Sequence, residues 1–340
     1  MSSDVFRRIN NKLKGIGQSA LRLHPLTAQV EFIKGQLAEL NSKLGSQLQH
    51  NISMLKPADD FILLEPASKQ TGQSISTHFD EFDPAPDLKA LAAQDTRPLP
   101  ITEDREGYHG ERHFDYWLSG LRDYLLIRHL SRRYKLDLPK PERIFDFGCA
   151  SGRVIRHFSA QEQGLELWGM DINIRHTEWV RRYLDPSIKV FQGTILPFLP
   201  LRDEYFSLVY AFSVFSHIDY LETAWLLELQ RILRPGGVAY LSIHSEGTWN
   251  RMREGVPIYD ALINGASVIE EYKVTPQFLA APMPKEKTVF TYRTGMSYNT
   301  NVFLHTDYIR NSWGRYFDIV DIVPEGHNYQ DVVLLRKRRS

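Results

Sequence analysis

Apolar positions follow several patterns along the chain. From Leu26 to Leu48 they alternate by three and four, on Val30, Ile33, Leu37, Leu40 and Leu44. This is an a/d seam of barely three heptads, which fits either a short coiled coil or a helix docked on its own domain. Ahead of it, Val5, Phe6, Ile9, Leu13 and Ile16 fall near helical spacing among Arg7, Arg8, Lys12, Lys14 and Arg22. A basic amphipathic helix and a solvated basic tail fit this stretch equally. Over residues 57–107 the pattern lapses, and six prolines (Pro57, Pro66, Pro84, Pro86, Pro98, Pro100) with many acids predict a linker draped over the domain, Phe61 to Leu64 being its anchor. Helical spacing resumes from Glu111 to Tyr134. Short apolar runs then read as strands at 143–147, 165–171, 188–194, 205–212 and 238–244. Between the last two, an amphipathic helix from Leu221 to Leu233 stops at Arg234-Pro-Gly-Gly237. Strands alternating with helices predict an α/β fold with a mostly parallel, doubly wound sheet.

The first strand leads into Gly148-Cys-Ala-Ser-Gly152, with a helix predicted from about Arg153. Gly148 and Gly152 let the backbone bend and approach a ligand, and the helix N–H groups favour electron-rich ligand atoms, so a nucleotide-like cofactor is implied. A nicotinamide site wants G-x-G-x-x-G, whereas the frame here is Gly148-x-Ala150-x-x-Arg153. Asp146, at the strand end, would repel a pyrophosphate but suits a ligand carrying an ammonium and a sulfonium. Asp171 ends the second strand nineteen residues past Gly152, where a doubly wound sheet places the carboxylate for ribose hydroxyls.

This stretch resembles motif I of the class I S-adenosylmethionine-dependent methyltransferases, acidic-x-G-x-G-x-G, with Asp146, Gly148 and Gly152 matching and Ala150 replacing the middle glycine. Leu196-Pro-Phe198, Ser213-Val-Phe-Ser-His-Ile218 and Leu233-Arg-Pro-Gly-Gly237 are similar to later segments of that family. The resemblance covers residues 140–245 and, more loosely, 305–338. It implies a Rossmann-like seven-stranded sheet, closed by an antiparallel pair at 317–323 and 331–335, with S-adenosylmethionine as cofactor. Its site would comprise Asp146, Gly148, Ala150, Gly152, Arg153, Asp171, Ile172 beside adenine, Gly193, Thr194 and Phe212. Thr194 stands where the family has an aspartate, which leaves adenine a backbone contact. The residues before motif I usually cover the cofactor and shape the acceptor pocket, which singles out Tyr108, Tyr116 and Trp117.

Methyl transfer is an in-line displacement, and a hydroxyl acceptor must also lose a proton. His217, five residues past Phe212, is the best-placed imidazole, followed by His113 and then His244. Each has an alternative structural reading. No acidic cluster is spaced for a metal. The segment 245–316 exceeds a single connecting helix and reads as a substrate lid, with a hairpin at 288–293 and 298–304 and a helix capped by Thr306. Lysine plus arginine and aspartate plus glutamate number 41 each, so no net charge points to nucleic acid. The lone Cys149 rules out an intramolecular disulfide, suits a cytoplasmic setting, and reads as filler in the turn. The expected organisation is N-terminal helices (1–56), a linker (57–107) and a methyltransferase domain (108–340). Its acceptor is a small molecule, best a sugar or glycan hydroxyl, given loose similarity to methyltransferases of surface-polysaccharide pathways. A lipid or metabolite acceptor, a non-catalytic cofactor-binding scaffold, and a nicotinamide oxidoreductase are the alternatives. Residues 1–25 are expected to touch membrane peripherally, and residues 26–48 to make a homo-oligomer.

Overall fold

The computed structural model describes residues 31, 34–46, 61–63, 79, 82, 85–292 and 299–339. The chain divides into two compact units, residues 1–50 and 51–340. In the first, residues 34–46 form helix α1, with no described side chain buried and Leu37 54% exposed. The expected membrane-facing stretch 1–25, and Val30 and Ile33 of the heptad seam, lie outside the described residues.

The second unit begins, among the described residues, with β1 (Phe61–Ile62), α2 (Leu88–Gln94), β2 (Leu99–Pro100) and a 3-10 turn at Thr102–Arg105. Then come α3 (His113–Arg133), β3 (Arg143–Phe147), α4 (Ile155–Gln161), β4 (Glu166–Asp171), α5 (Ile174–Tyr183), β5 (Lys189–Gln192), β6 (Phe206–Ala211), α6 (Glu222–Ile232) and β7 (Leu233–Ile243). After α7 (Glu246–Asn250), α8 (Pro257–Asn264), α9 (Pro276–Ala280), β8 (Lys287–Thr291) and β9 (Thr300–Leu304), the chain ends with α10 (Thr306–Ser312), β10 (Asp318–His327) and β11 (Gln330–Arg336).

The main sheet has the order β10-β11-β7-β6-β3-β4-β5. The strands β7-β6-β3-β4-β5 pair in parallel, and β11 and β10 close the other side antiparallel. Every residue of β6 is buried, as a strand covered on both faces requires. Leu208 and Tyr210 join Trp117, Ile155, Phe158 and Trp179 on one face, while Val209 and Ala211 join Phe145, Trp225, Leu229 and Trp313 on the other. This two-residue alternation settles which helices take which side. Strand order reverses between β3 and β6, and the crevice outside the carboxyl ends at such a reversal is where open α/β sheets bind ligands.

Three boundaries differ from expectation. Helix α4 starts at Ile155 rather than Arg153, because residues 151–154 complete the turn. Strand β7 already pairs at Leu233, and a register shift absorbs Arg234-Pro-Gly-Gly237, with Gly236 at φ 78°. The cap of α10 is His305, whose ring accepts from the Asp307 N–H, while Thr306 bonds Glu246.

From Asp95 on, the proline-rich segment is fastened to the domain. Arg156, 2% exposed, donates to both oxygens of Asp95 at 2.7 and 3.1 Å and to the carbonyls of Arg97 and Pro98. Trp117 donates its indole N–H to the same carboxylate at 2.8 Å. At the other end of the segment, Phe61 lies against the Tyr183 ring, 5.5 Å between centroids. The insertion after β7 has its own apolar cluster around Trp249, Leu262, Phe290 and Phe303, and β9 fastens it to the sheet edge through Leu304 N–H to His244 O and Val302 N–H to Ser216 O, both 2.8 Å. Among the described residues no helix is long and apolar enough to cross a membrane.

Candidate active site

The glycine turn is held from both sides. Gly148 N–H and Cys149 N–H both donate to the Met170 carbonyl at the end of β4, at 2.8 and 2.9 Å. Gly148 has φ 83°, and a Cβ there would stand 2.5 Å from Val214. Helix α3 crosses directly over the turn at Gly120, where a Cβ would come within 1.9 Å of the Arg153 carbonyl oxygen. Only glycine allows that approach. The Cys149 side chain is buried, which pushes its thiol pKa well up and fits filler rather than a nucleophile.

Two carboxylates end adjacent strands here. Asp171 accepts the backbone N–H of Ala150 and of Asn173, each at 2.8 Å, and has His176 Nδ1 3.4 Å away. Burial alone would raise its pKa, but His176 and the two amides bring it below the usual value. Asp146 is also buried, and accepts the Tyr210 hydroxyl at 2.8 Å. Burial there outweighs Tyr210 and Arg153 and lifts the pKa to about 8. The repulsion of pyrophosphate expected from Asp146 therefore does not operate fully at neutral pH. An incoming cation would restore the charge, so the residue fits an ammonium-bearing ligand.

The remaining expected cofactor residues sit along the same edge. Gly193 N–H donates to the Asp171 carbonyl at 2.9 Å, Ile172 is half-buried, and Thr194 is exposed with its Oγ1 accepting the Leu196 N–H. Phe212 is buried and stacks on His327, 4.8 Å between centroids. Arg153 ion-pairs with Asp123 of α3 at 2.6 Å. The 3-10 turn covers this edge: Ser151 Oγ donates to the Asp104 carbonyl, Arg175 ion-pairs with the Asp104 carboxylate, and Asn173 donates to Glu106 at 3.0 Å.

Of the expected acceptor-side residues, His217 follows β6 and has Nδ1 2.7 Å from the Thr300 carbonyl. A carbonyl can only accept, so Nδ1 carries the proton and Nε2 the lone pair. Burial lowers its pKa, leaving the ring neutral at pH 7, and the charge of Glu106 acts on it. His113 lies in the first turn of α3, and its Nδ1 accepts a guanidinium N–H from Arg105 at 2.7 Å, so that lone pair is engaged. His244 is buried, which lowers its pKa to about 3. Tyr108 is 43% exposed, whereas Tyr116 and Trp117 are buried in the core at 1% and 0%. His176, Ser213, His327 and Gln330 also border this edge and carry no sequence signal of their own as site residues. The spacing of His176 after Asp171 matches no motif, and the others meet only through the β10–β11 hairpin. Among the described residues no group of three His, Cys, Asp or Glu side chains forms a metal site.

Residues 118–297 match a family model described as a methyltransferase domain. No protein of curated function matches the chain. Similar solved structures include a protein from Pyrococcus horikoshii, at 16% identity and TM-score 0.44, covering 67% of this chain and 93% of that one. A Thermotoga maritima S-adenosylmethionine-dependent methyltransferase, described as a possible histamine N-methyltransferase, shares 16% identity at TM-score 0.43 over 69% of this chain and 98% of its own. The Burkholderia thailandensis 1,6-didemethyltoxoflavin-N1-methyltransferase, solved with its substrate and S-adenosylhomocysteine, shares 13% at TM-score 0.44 over 70% and 84%. The family match spans more than half of the chain, and the sheet carries the strand order and closing antiparallel pair that the sequence resemblance implied. The chain belongs to the methyltransferase-domain family and is a class I S-adenosylmethionine-dependent methyltransferase.

Proposed function

We propose that this enzyme O-methylates a hydroxyl of a sugar or glycan-like acceptor, with His217 receiving the acceptor's proton. The observation that carries the reading is the hydrogen bond from His217 Nδ1 to the Thr300 carbonyl, 2.7 Å, which leaves Nε2 as the basic nitrogen of a neutral ring. A hydroxyl needs such a base during methyl transfer. His113 is the weaker candidate, because Arg105 engages its Nδ1. Tyr108 is an exposed aromatic available to an acceptor ring, while Tyr116 and Trp117 are buried and stay out of its reach. The looser similarity of the sequence to methyltransferases of surface-polysaccharide pathways points the same way.

The bound cofactor supplies an electrophilic methyl group on a sulfonium. In this reading Asp171 takes the ribose hydroxyls, Ile172, Gly193 and Thr194 border the adenine, and Phe212 flanks the methionine end. Asp146 faces the positive portion of the ligand, and Gly148, Ala150, Gly152 and Arg153 shape the turn that receives it. Methyl-labelled S-adenosylmethionine added with the enzyme to fractionated extract should transfer label to the carbohydrate fraction. Label in lipid, protein or small amines would overturn the acceptor assignment. Cofactor binding with no label in any fraction would favour the non-catalytic scaffold.

The proposal extends to the N-terminal region. Residues 26–48 self-associate through the heptad seam, and residues 1–25 contact an anionic membrane surface; the uncovered Leu37 in α1 supports the first. Removing residues 1–55 should leave cofactor binding intact while changing oligomer size or vesicle sedimentation. If light scattering and sedimentation are both unchanged, the region has neither role.

A further inference from the structure

Ser213 follows β6 by two residues and holds φ at 57°, in the left-handed region that a non-glycine residue enters at a cost. Its Oγ lies 3.3 Å from His327 Nε2, and His327 Nδ1 lies 2.9 Å from Asp123 Oδ1. Three segments that are distant in sequence, namely α3, the turn after β6 and the end of β10, thus align a hydroxyl, an imidazole and a carboxylate.

The surrounding bonds fix the direction of every proton. The Ser213 backbone N–H donates to Ser242 Oγ at 2.7 Å, and Ser242 Oγ donates to Gln330 Oε1 at 2.6 Å. That orients the Gln330 amide so that Nε2 donates to Ser213 Oγ at 3.1 Å and faces His244 Nε2 at 3.2 Å. With Oγ already accepting, the hydrogen of Ser213 is directed to His327 Nε2. The His327 ring can accept it because its other nitrogen donates to Asp123. Asp123 stays ionised because the Arg153 guanidinium stands 2.6 Å from its other oxygen. The imidazole and carboxylate are dry, with side chains 2% and 3% exposed, and Phe212 stacks on the imidazole to set its plane. Ser213 itself is only half-buried, at the carboxyl end of the central strand.

Ser213 presents its hydroxyl from the bend that leaves the carboxyl end of β6, well ahead of α6. We propose that Ser213 is an activated nucleophile, with His327 as its base and Asp123 as the orienting carboxylate, acting on carboxylic esters that reach this edge of the sheet. Ser213 Oγ would bond to the ester carbonyl carbon while its proton passes to His327 Nε2. The carbon–alkoxide bond then breaks, and the alkoxide leaves with that proton as an alcohol. Water, deprotonated by His327, cleaves the acyl-serine to release the acid and restore the hydroxyl.

The test uses the full chain and a fluorophosphonate probe. Attack forms a Ser213 O–P bond and expels fluoride with the serine proton, and peptide mass spectrometry locates the adduct. The wild type should be labelled at Ser213 and should hydrolyse p-nitrophenyl acetate. Ser213→Gly, which takes the left-handed backbone without strain, should lose both. His327→Gln should slow labelling by at least about 10³-fold. Absence of an adduct at Ser213 in the wild type, or equal labelling of the His327→Gln protein, overturns the proposal. Calorimetric titration of the same preparations with S-adenosylmethionine keeps the two activities separate. Cofactor binding without an adduct sinks only the nucleophile, and an adduct without cofactor binding sinks only the methyl-transfer assignment.

Discussion

The carboxyl ends of β3 and β4 lie side by side, and each presents a buried carboxylate, yet the two hold charge in opposite ways. Asp171 meets two backbone N–H donors and an imidazole, and its pKa falls. Asp146 meets burial that one tyrosine hydroxyl and the more remote Arg153 do not offset, and its pKa rises to about 8. The sequence pattern, an acid ending each strand, is the same in both places. What differs is the number and kind of donors that the fold turns toward each. Asp171 is therefore part of the folded framework before any ligand arrives, whereas Asp146 is a carboxyl that a cationic ligand would ionise.

Removing Asp171 should break the comparison most severely. Asp171→Ala strands the Ala150 and Asn173 amides, each worth about 1–3 kcal/mol when buried without a partner. A denaturant titration should show that combined loss, and calorimetry should show S-adenosylmethionine binding weakened by at least about a hundredfold, since charge-assisted bonds to ribose go too. A variant with unchanged stability and affinity would contradict both roles.

A smaller and more selective effect is expected at Asp146. Because its folded pKa lies above the usual carboxylate value, the native state binds the extra proton, and stability falls as pH rises from about 4 through about 8. Asp146→Asn keeps the neutral shape and should remove this slope, so the variant gains on the wild type toward pH 8 while binding cofactor more weakly. Parallel pH slopes for the two proteins would show that Asp146 is ionised in the free enzyme. The least disturbance to the fold is expected across the cleft. His217→Ala should leave cofactor affinity unchanged and, with the acceptor identified by label transfer, lower turnover by roughly 10²–10⁴-fold. Loss of cofactor affinity in this variant would mark His217 as structural.

Much of this architecture is legible along the chain because two features are local. Short apolar runs and helical spacing locate the strands and helices, and glycine marks the backbone's sharp turn after β3. The acids at 146 and 171 are visible for the same reason, as polar residues closing apolar runs. Their charge states are not, since Tyr210 and the amides of Ala150 and Asn173 approach through folding. Gly120 illustrates the same limit: in sequence it only weakens a helix, and its reason is the Arg153 carbonyl packed against it. The line from Ser213 to Asp123 spans residues that no spacing rule connects, so only the closing hairpin reveals it. Prolines in the segment 57–107 signal irregular backbone and say nothing of the ion pair that fastens it.

That ion pair also decides how independent the catalytic domain can be. The family-matched region opens at residue 118, and the sequence alone suggests a start near 108. Yet Arg156, in the helix that leaves the glycine turn, is neutralised by Asp95 from well before either point. A chain beginning at 108 would keep a guanidinium sealed in the core without its counter-charge, a defect of about 3–5 kcal/mol. That is a large share of the roughly 5–15 kcal/mol that holds a typical protein folded. The strap at 85–107 thus belongs with the cofactor domain, and a transplanted or fused version of this enzyme must carry it along.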